Sequence, residues 1–113
     1  MKFDTDLIEA KPGEKVVIAF TNDDPTGLMH NLAVITPGSH QKVIAAAISI
    51  GPKAIEQNFV PKISEVVAST PQVAKGRRYN LYLTIPNQSG DYIFVCTYPG
   101  HGQVMYGTLR VGP

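Results

Sequence analysis

The 113-residue sequence has one cysteine and no tryptophan. A single cysteine excludes an internal disulfide, the usual covalent marker of an exported domain. No apolar run approaches the roughly 20 residues of a membrane-spanning helix. The start, Met1-Lys2-Phe3-Asp4, turns acidic before the apolar stretch of a signal peptide can form. Charge of one sign is equally scarce: ten Lys and Arg oppose nine Asp and Glu, for a formal net charge of +1. Basic residues adjoin only at Arg77-Arg78, so a nucleic-acid binder, which needs a basic stripe or face, is excluded. Repeats and low-complexity tracts are absent too. What remains is an ordinary globular composition, with 43 % hydrophobic, 17 % charged and 8 % aromatic residues. A chain of this size buries roughly two-thirds of its unfolded surface, enough for one core, and residues 1–113 read as a single domain.

Nine prolines and ten glycines cut the chain into short segments, as in an all-β domain with many turns. Strands are expected over Phe3–Ala10 and Lys15–Asn22, joined by the turn Lys11-Pro12-Gly13-Glu14. In the second of these, Val16, Ile18 and Phe20 alternate with outward positions, the period of a half-buried strand. Asn22-Asp23-Asp24-Pro25 reads as a loop and Asn31–Thr36 as the next strand. Ser39 is placed to cap a helix over Gln41–Ile48. Gly51-Pro52 stops it, and Pro52 starts a further helical turn through Gln57. That insertion is expected to cover an end of the sheet. Val66–Ser69, Tyr79–Ile85, Asp91–Cys96 and Gly107–Val111 complete a two-sheet β-sandwich of seven to eight strands with a short helical insertion.

Chemistry concentrates near the C-terminus. Cys96, His101 and Met105 place a thiol, an imidazole and a thioether within ten residues, around the turn Pro99-Gly100. A lone cysteine at a strand end is ordinarily a small buried hydrophobe. The turn, however, lets the strand-end Cys96 and His101 face one point, as metal ligands must. Soft sulfur with imidazole favours copper or zinc over magnesium or calcium, and two histidines, a cysteine and a weak axial methionine form the blue-copper donor set. The second imidazole is assigned to His30, at the mouth of a strand; His40, at the start of the helical insertion, is read as a surface residue. Cys96, His30 and His101 would equally suit tetrahedral zinc.

Cys96-Thr97-Tyr98-Pro99-Gly100-His101, with Met105 and Gly107-Thr108-Leu109 behind it and His30-Asn31 upstream, resembles the azurin and auracyanin branch of the cupredoxins, the type 1 blue copper proteins. The likeness extends over most of the chain, through the order of strands, helical flap and ligand loop. It departs in three places: azurins carry a disulfide that one cysteine cannot form, Met29 stands where azurins have the glycine whose carbonyl lies near the metal, and the helical insertion differs in sequence. The resemblance implies a Greek-key sandwich holding one copper through His30, Cys96 and His101, with Met105 as weak axial ligand and the Met29 carbonyl beside it. It further implies that Asn31 ties the His30 loop to the backbone around Thr97. The amide of Tyr98, where plastocyanin-like loops have proline, is free to join that of Asn31 in donating to the sulfur.

Such a site suits outer-sphere electron transfer. His101, between Gly100 and Gly102, is the ligand expected to show an edge to solvent, within an apolar docking patch of Leu28, Met29, Tyr98, Pro99, Gly100 and Val104. An enzyme would need a second copper centre with several more histidines, and only His40 is left. The expectation is therefore a monomeric electron carrier with protein redox partners, working in the periplasm or otherwise outside the cytoplasm and written here without its leader. The alternatives are a cupredoxin domain excised from a larger redox enzyme, or a copper- or zinc-binding module with no redox role.

Overall fold

A computed structural model describes residues 1–113. Seven strands form: β1 (Leu7–Ala10), β2 (Lys15–Thr21), β3 (Ala33–Ile35), β4 (Val66–Ser69), β5 (Arg78–Thr84), β6 (Gly90–Val95) and β7 (Tyr106–Val111). One sheet has five strands in the order β1-β7-β6-β3-β4; the other consists of β2 and β5. Only β1 and β7 run parallel; every other pair is antiparallel. The alternation in β2 puts Ile18 and Phe20 inward. They meet Leu81 of the partner strand and Val34, Phe94 and Leu109 of the larger sheet in one core. No helix is long and apolar enough to cross a membrane.

Three expected segments are shorter or placed differently, each for a local reason. The first strand begins at Leu7 and not Phe3, because Phe3 turns inward and sets its ring edge-on to Phe20 and Phe94, at 5.9 and 5.2 Å. The strand expected from Asn31 begins at Ala33, since the backbone amides of Asn31 and Leu32 are committed to the Cys96 sulfur and the Thr70 hydroxyl. Ser39 precedes helix α1 (His40–Ile48) without capping it; its hydroxyl donates to the Thr36 carbonyl instead.

Helix α1 reaches the ligand-loop end of the sheet through His40 and Ile44, and it also covers a face. Val43 packs with Ala33, Ile35 and Val95 in a second, smaller core. This explains why β3 is buried on both faces and has no polar alternation. Behind the helix, a single 3-10 turn covers Gly51–Lys53.

Candidate metal centre

Two loops converge at one end of the sandwich. The chain between β2 and β3 supplies His30, and the chain between β6 and β7 supplies Cys96 and His101. Their ligating atoms all lie within 4.8 Å of one another, and all three residues are buried. Cys96 Sγ is 3.8 Å from Nδ1 of His30 and 3.6 Å from Nδ1 of His101. For metal–sulfur and metal–nitrogen bonds of about 2.3 and 2.0–2.1 Å, those separations subtend roughly 110–120° at a shared ion. The thiol and the two imidazoles thus stand close enough together to hold one soft or borderline ion, the donor set of one type 1 copper.

The ligand loop is closed by the backbone. The Cys96 amide donates to the Met105 carbonyl at 3.0 Å, and the Met105 amide to the His101 carbonyl at 2.9 Å. Met105 is thereby held buried beside Cys96. Gly102 has to be glycine on steric grounds, because a Cβ there would stand 2.8 Å from Ile44 of α1 and 3.0 Å from the Cys96 carbonyl oxygen. Gly100, at φ +85°, makes the turn.

Asn31 is fully buried and bonds Thr97 twice: its Nδ2 donates to Thr97 Oγ1 and its Oδ1 accepts from Thr97 N, both at 2.8 Å. The His30 loop and the ligand loop are thus tied by two bonds that neither backbone could make alone. Burial pushes the Cys96 thiol above its ordinary pKa, and the amides of Asn31 and Tyr98, both hydrogen-bonded to the sulfur, pull it partly back. Burial, then the charge of His30, holds His101 below the usual histidine range.

These shifts set the pH dependence of metal uptake. In the metal-free protein the thiol is protonated at neutral pH, while the depressed His101 competes with a metal only at lower pH. Binding therefore displaces one thiol proton, and apparent affinity should rise about tenfold per pH unit between roughly pH 7 and 8. A chelator competition titration over that range checks the slope. The same thiol makes the metal-free fold more stable below the ordinary thiol pKa. That contribution is lost as pH rises through the raised value, because the unfolded chain releases the proton first.

The patch residues Leu28, Met29, Pro99, Gly100 and Val104 are all exposed on the loops that carry the histidines; Tyr98 is half-buried. The Tyr98 ring lies over His101, with centroids 4.7 Å apart, and Phe59 of the flap packs against Tyr98 at 5.0 Å. His101 is consequently only 5 % exposed. Its Nε2 has no protein partner, yet the sole buried side-chain polar atom without one is Gln72 Oε1, so His101 Nε2 touches solvent.

His40 corrects the sequence reading. It is not a free surface residue: half-buried, it places Nε2 2.8 Å from the Gly102 carbonyl oxygen and stacks on Tyr106 with centroids 4.4 Å apart. It clamps the ligand loop to α1 without joining the ligand cluster. Asp24, which the sequence offered only as part of a loop, also reaches the site: its Oδ2 is 2.6 Å from Nε2 of His30. An acidic residue six positions before a candidate ligand was the one available signal.

Known proteins are similar to this chain over nearly its whole length. Auracyanin-A of Chloroflexus aurantiacus is 29 % identical over 114 residues, covering 98 % of this chain and 67 % of its own length. Azurin of Pseudomonas aeruginosa is 27 % identical over 118 residues, covering 98 % of this chain and 78 % of the azurin. Among solved structures, the dithionite-reduced auracyanin of Roseiflexus castenholzii superimposes with a TM-score of 0.84 at 28 % identity, over 99 % of this chain and 88 % of that one. The family model of copper binding proteins, plastocyanin/azurin family, matches residues 1–112. A buried thiol between two imidazoles is a copper-binding donor set, and the chain belongs to the plastocyanin/azurin family of copper binding proteins.

Proposed function

We propose that this protein carries single electrons between redox partners, by outer-sphere transfer through the solvent-touching edge of His101. The observation that carries the reading is the His30–Cys96–His101 cluster, the single site of its kind in a family of carriers and not of enzymes. Copper held there supplies a one-electron Cu(I)/Cu(II) couple that requires no proton, bond or substrate atom to move. Around it the chain keeps the donors still. Asn31 and Thr97 lock the two loops together, the amides of Asn31 and Tyr98 support the sulfur, and burial excludes water as a further ligand. In this reading Met105 would add a weak thioether donor and the Met29 carbonyl would stand by the same copper. A periplasmic or other extracytoplasmic location goes with the same reading.

The donors alone would also accept zinc, and colour decides between the metals. A copper-loaded sample should show strong thiolate-to-copper absorption and a reversible one-electron wave. A colourless, redox-silent protein would sink the carrier reading.

Leu28, Met29, Pro99, Gly100 and Val104 then form the docking patch, which excludes water and lets His101 approach a partner's cofactor. Leu28 is 40 % and Val104 59 % exposed, so lysine at either position is tolerated by the fold. It would charge the patch, and in self-exchange each copy would repel its twin. Slower self-exchange by NMR line broadening, at a nearly constant potential, is expected for Leu28→Lys and Val104→Lys. Unchanged exchange in both would mean that electrons leave by another face.

A further inference from the structure

Asp24 belongs to no ligand set, yet a whole loop is arranged to aim it. Asn22, almost fully buried, donates through Nδ2 to the carbonyls of Leu28 and Val73, at 2.9 and 2.7 Å, and its Oδ1 accepts the Asp24 amide at 3.0 Å. The Thr26 amide and hydroxyl both donate to Asp24 Oδ1, at 2.8 and 2.7 Å. With one carboxylate oxygen occupied from within the loop, the other, Oδ2, has one direction left: 2.6 Å to His30 Nε2. Gly27, at φ +81°, closes the loop with its amide on the Asp24 carbonyl. The carboxylate side chain is 15 % and the imidazole 4 % exposed, so the imidazole is the more enclosed of the two.

The two imidazoles are therefore unequal. His101 is backed by an aromatic ring and touches solvent, while His30 is backed by a charge. We infer that Asp24 is the positioning residue of His30: it accepts the Nε2–H, fixes the tautomer that turns Nδ1 toward Cys96, and sets a negative charge behind that ligand which favours the oxidised, more positive metal. The inference rests on the copper reading only for its last part.

A carboxylate behind a histidine ligand raises the basicity of the ring and holds its orientation, and losing such a partner typically costs 10–100-fold in metal affinity. Asp24→Asn leaves one oxygen to serve both Thr26 and His30, and removes the charge. Cu(II) affinity should fall by about ten- to a hundredfold and Cu(I) affinity by less, so the reduction potential rises while the blue band, which depends on Cys96, remains. Asp91→Asn, which removes an equal charge from the exposed pair with Arg110 at the other end of β6 from Cys96, should leave the potential nearly where it was. In the metal-free wild type, nitrogen-15 NMR should find His30 as the Nε2–H tautomer, with that proton protected from exchange; in Asp24→Asn the protection should be lost.

An unchanged or lowered potential in folded Asp24→Asn would overturn the inference. So would an Nδ1–H tautomer in the wild type. A wild type that binds no copper but shows the locked tautomer would remove the copper reading and leave the positioning role of Asp24 standing.

Discussion

Cys96→Ala should abolish the visible charge-transfer band completely, because no other thiol exists in the chain to replace the one removed. The sulfur is the member of the cluster that faces both imidazoles, at 3.8 and 3.6 Å, and without it only two nitrogen donors remain at the site. Two imidazoles with no thiolate lose the soft donor that distinguishes this site from a general one for borderline ions. The informative control is His40→Ala. Its ring nitrogen bonds the Gly102 carbonyl and its face packs on Tyr106, so the variant should lose about 1 kcal/mol of stability and keep its colour. The pair of variants separates ligation from support, by absorption spectrum and by denaturant midpoint. Colour that survives in Cys96→Ala, or is lost from a folded His40→Ala, would redraw the ligand set.

How far this site could be read from residue spacing depended on distance along the chain, and the tie of Asn31 to Thr97, 66 residues apart, came only from the family resemblance. Cys96, His101 and Met105 were legible because their geometry is local: a strand end, a Pro-Gly turn and one short loop bring them together. The alternation in β2 was legible for the same reason, since the pleat by itself sends Val16, Ile18 and Phe20 to one side. Asp24 was not. Its direction depends on Asn22 reaching the Val73 carbonyl, 51 residues away, and no local pattern announces that bond. His40 was missed in the same way, because its partner Gly102 lies 62 residues further on. The helix was found, but not all of the surface it covers. Its apolar residues Val43, Ile44 and Ala47 say that one side is buried, whereas the face of β3 and β6 that buries Val43 follows from the strand order β6-β3-β4.

Gly107 is where the core and the ligand loop meet, and Gly107→Ala should destabilise the fold by about 3 kcal/mol, the upper end of ordinary overpacking. A Cβ at this position would lie 2.2, 2.6 and 2.9 Å from three ring atoms of Phe94, its cross-strand partner in the β6–β7 register. Phe94 is buried, with Phe3 edge-on to it at 5.2 Å, so its ring can yield only toward the cavity that it lines with Phe3 and Met105. Backbone conformation does not demand this glycine, since Gly107 is not among the residues with positive φ; the requirement is space. Space can be returned from the other side. Phe94→Leu removes the distal ring atoms that a Cβ would strike, so the double variant should lose less than the two single losses added together, with a coupling of about 1 kcal/mol or more. Urea unfolding of the metal-free proteins measures all four corners of the cycle. Because Gly107 follows Met105 by two residues, the single variant should also loosen the end of the ligand loop, and its copper-loaded form should show a broadened charge-transfer band that narrows again in the double variant. Strict additivity would mean that the glycine is needed for something other than the room it gives Phe94.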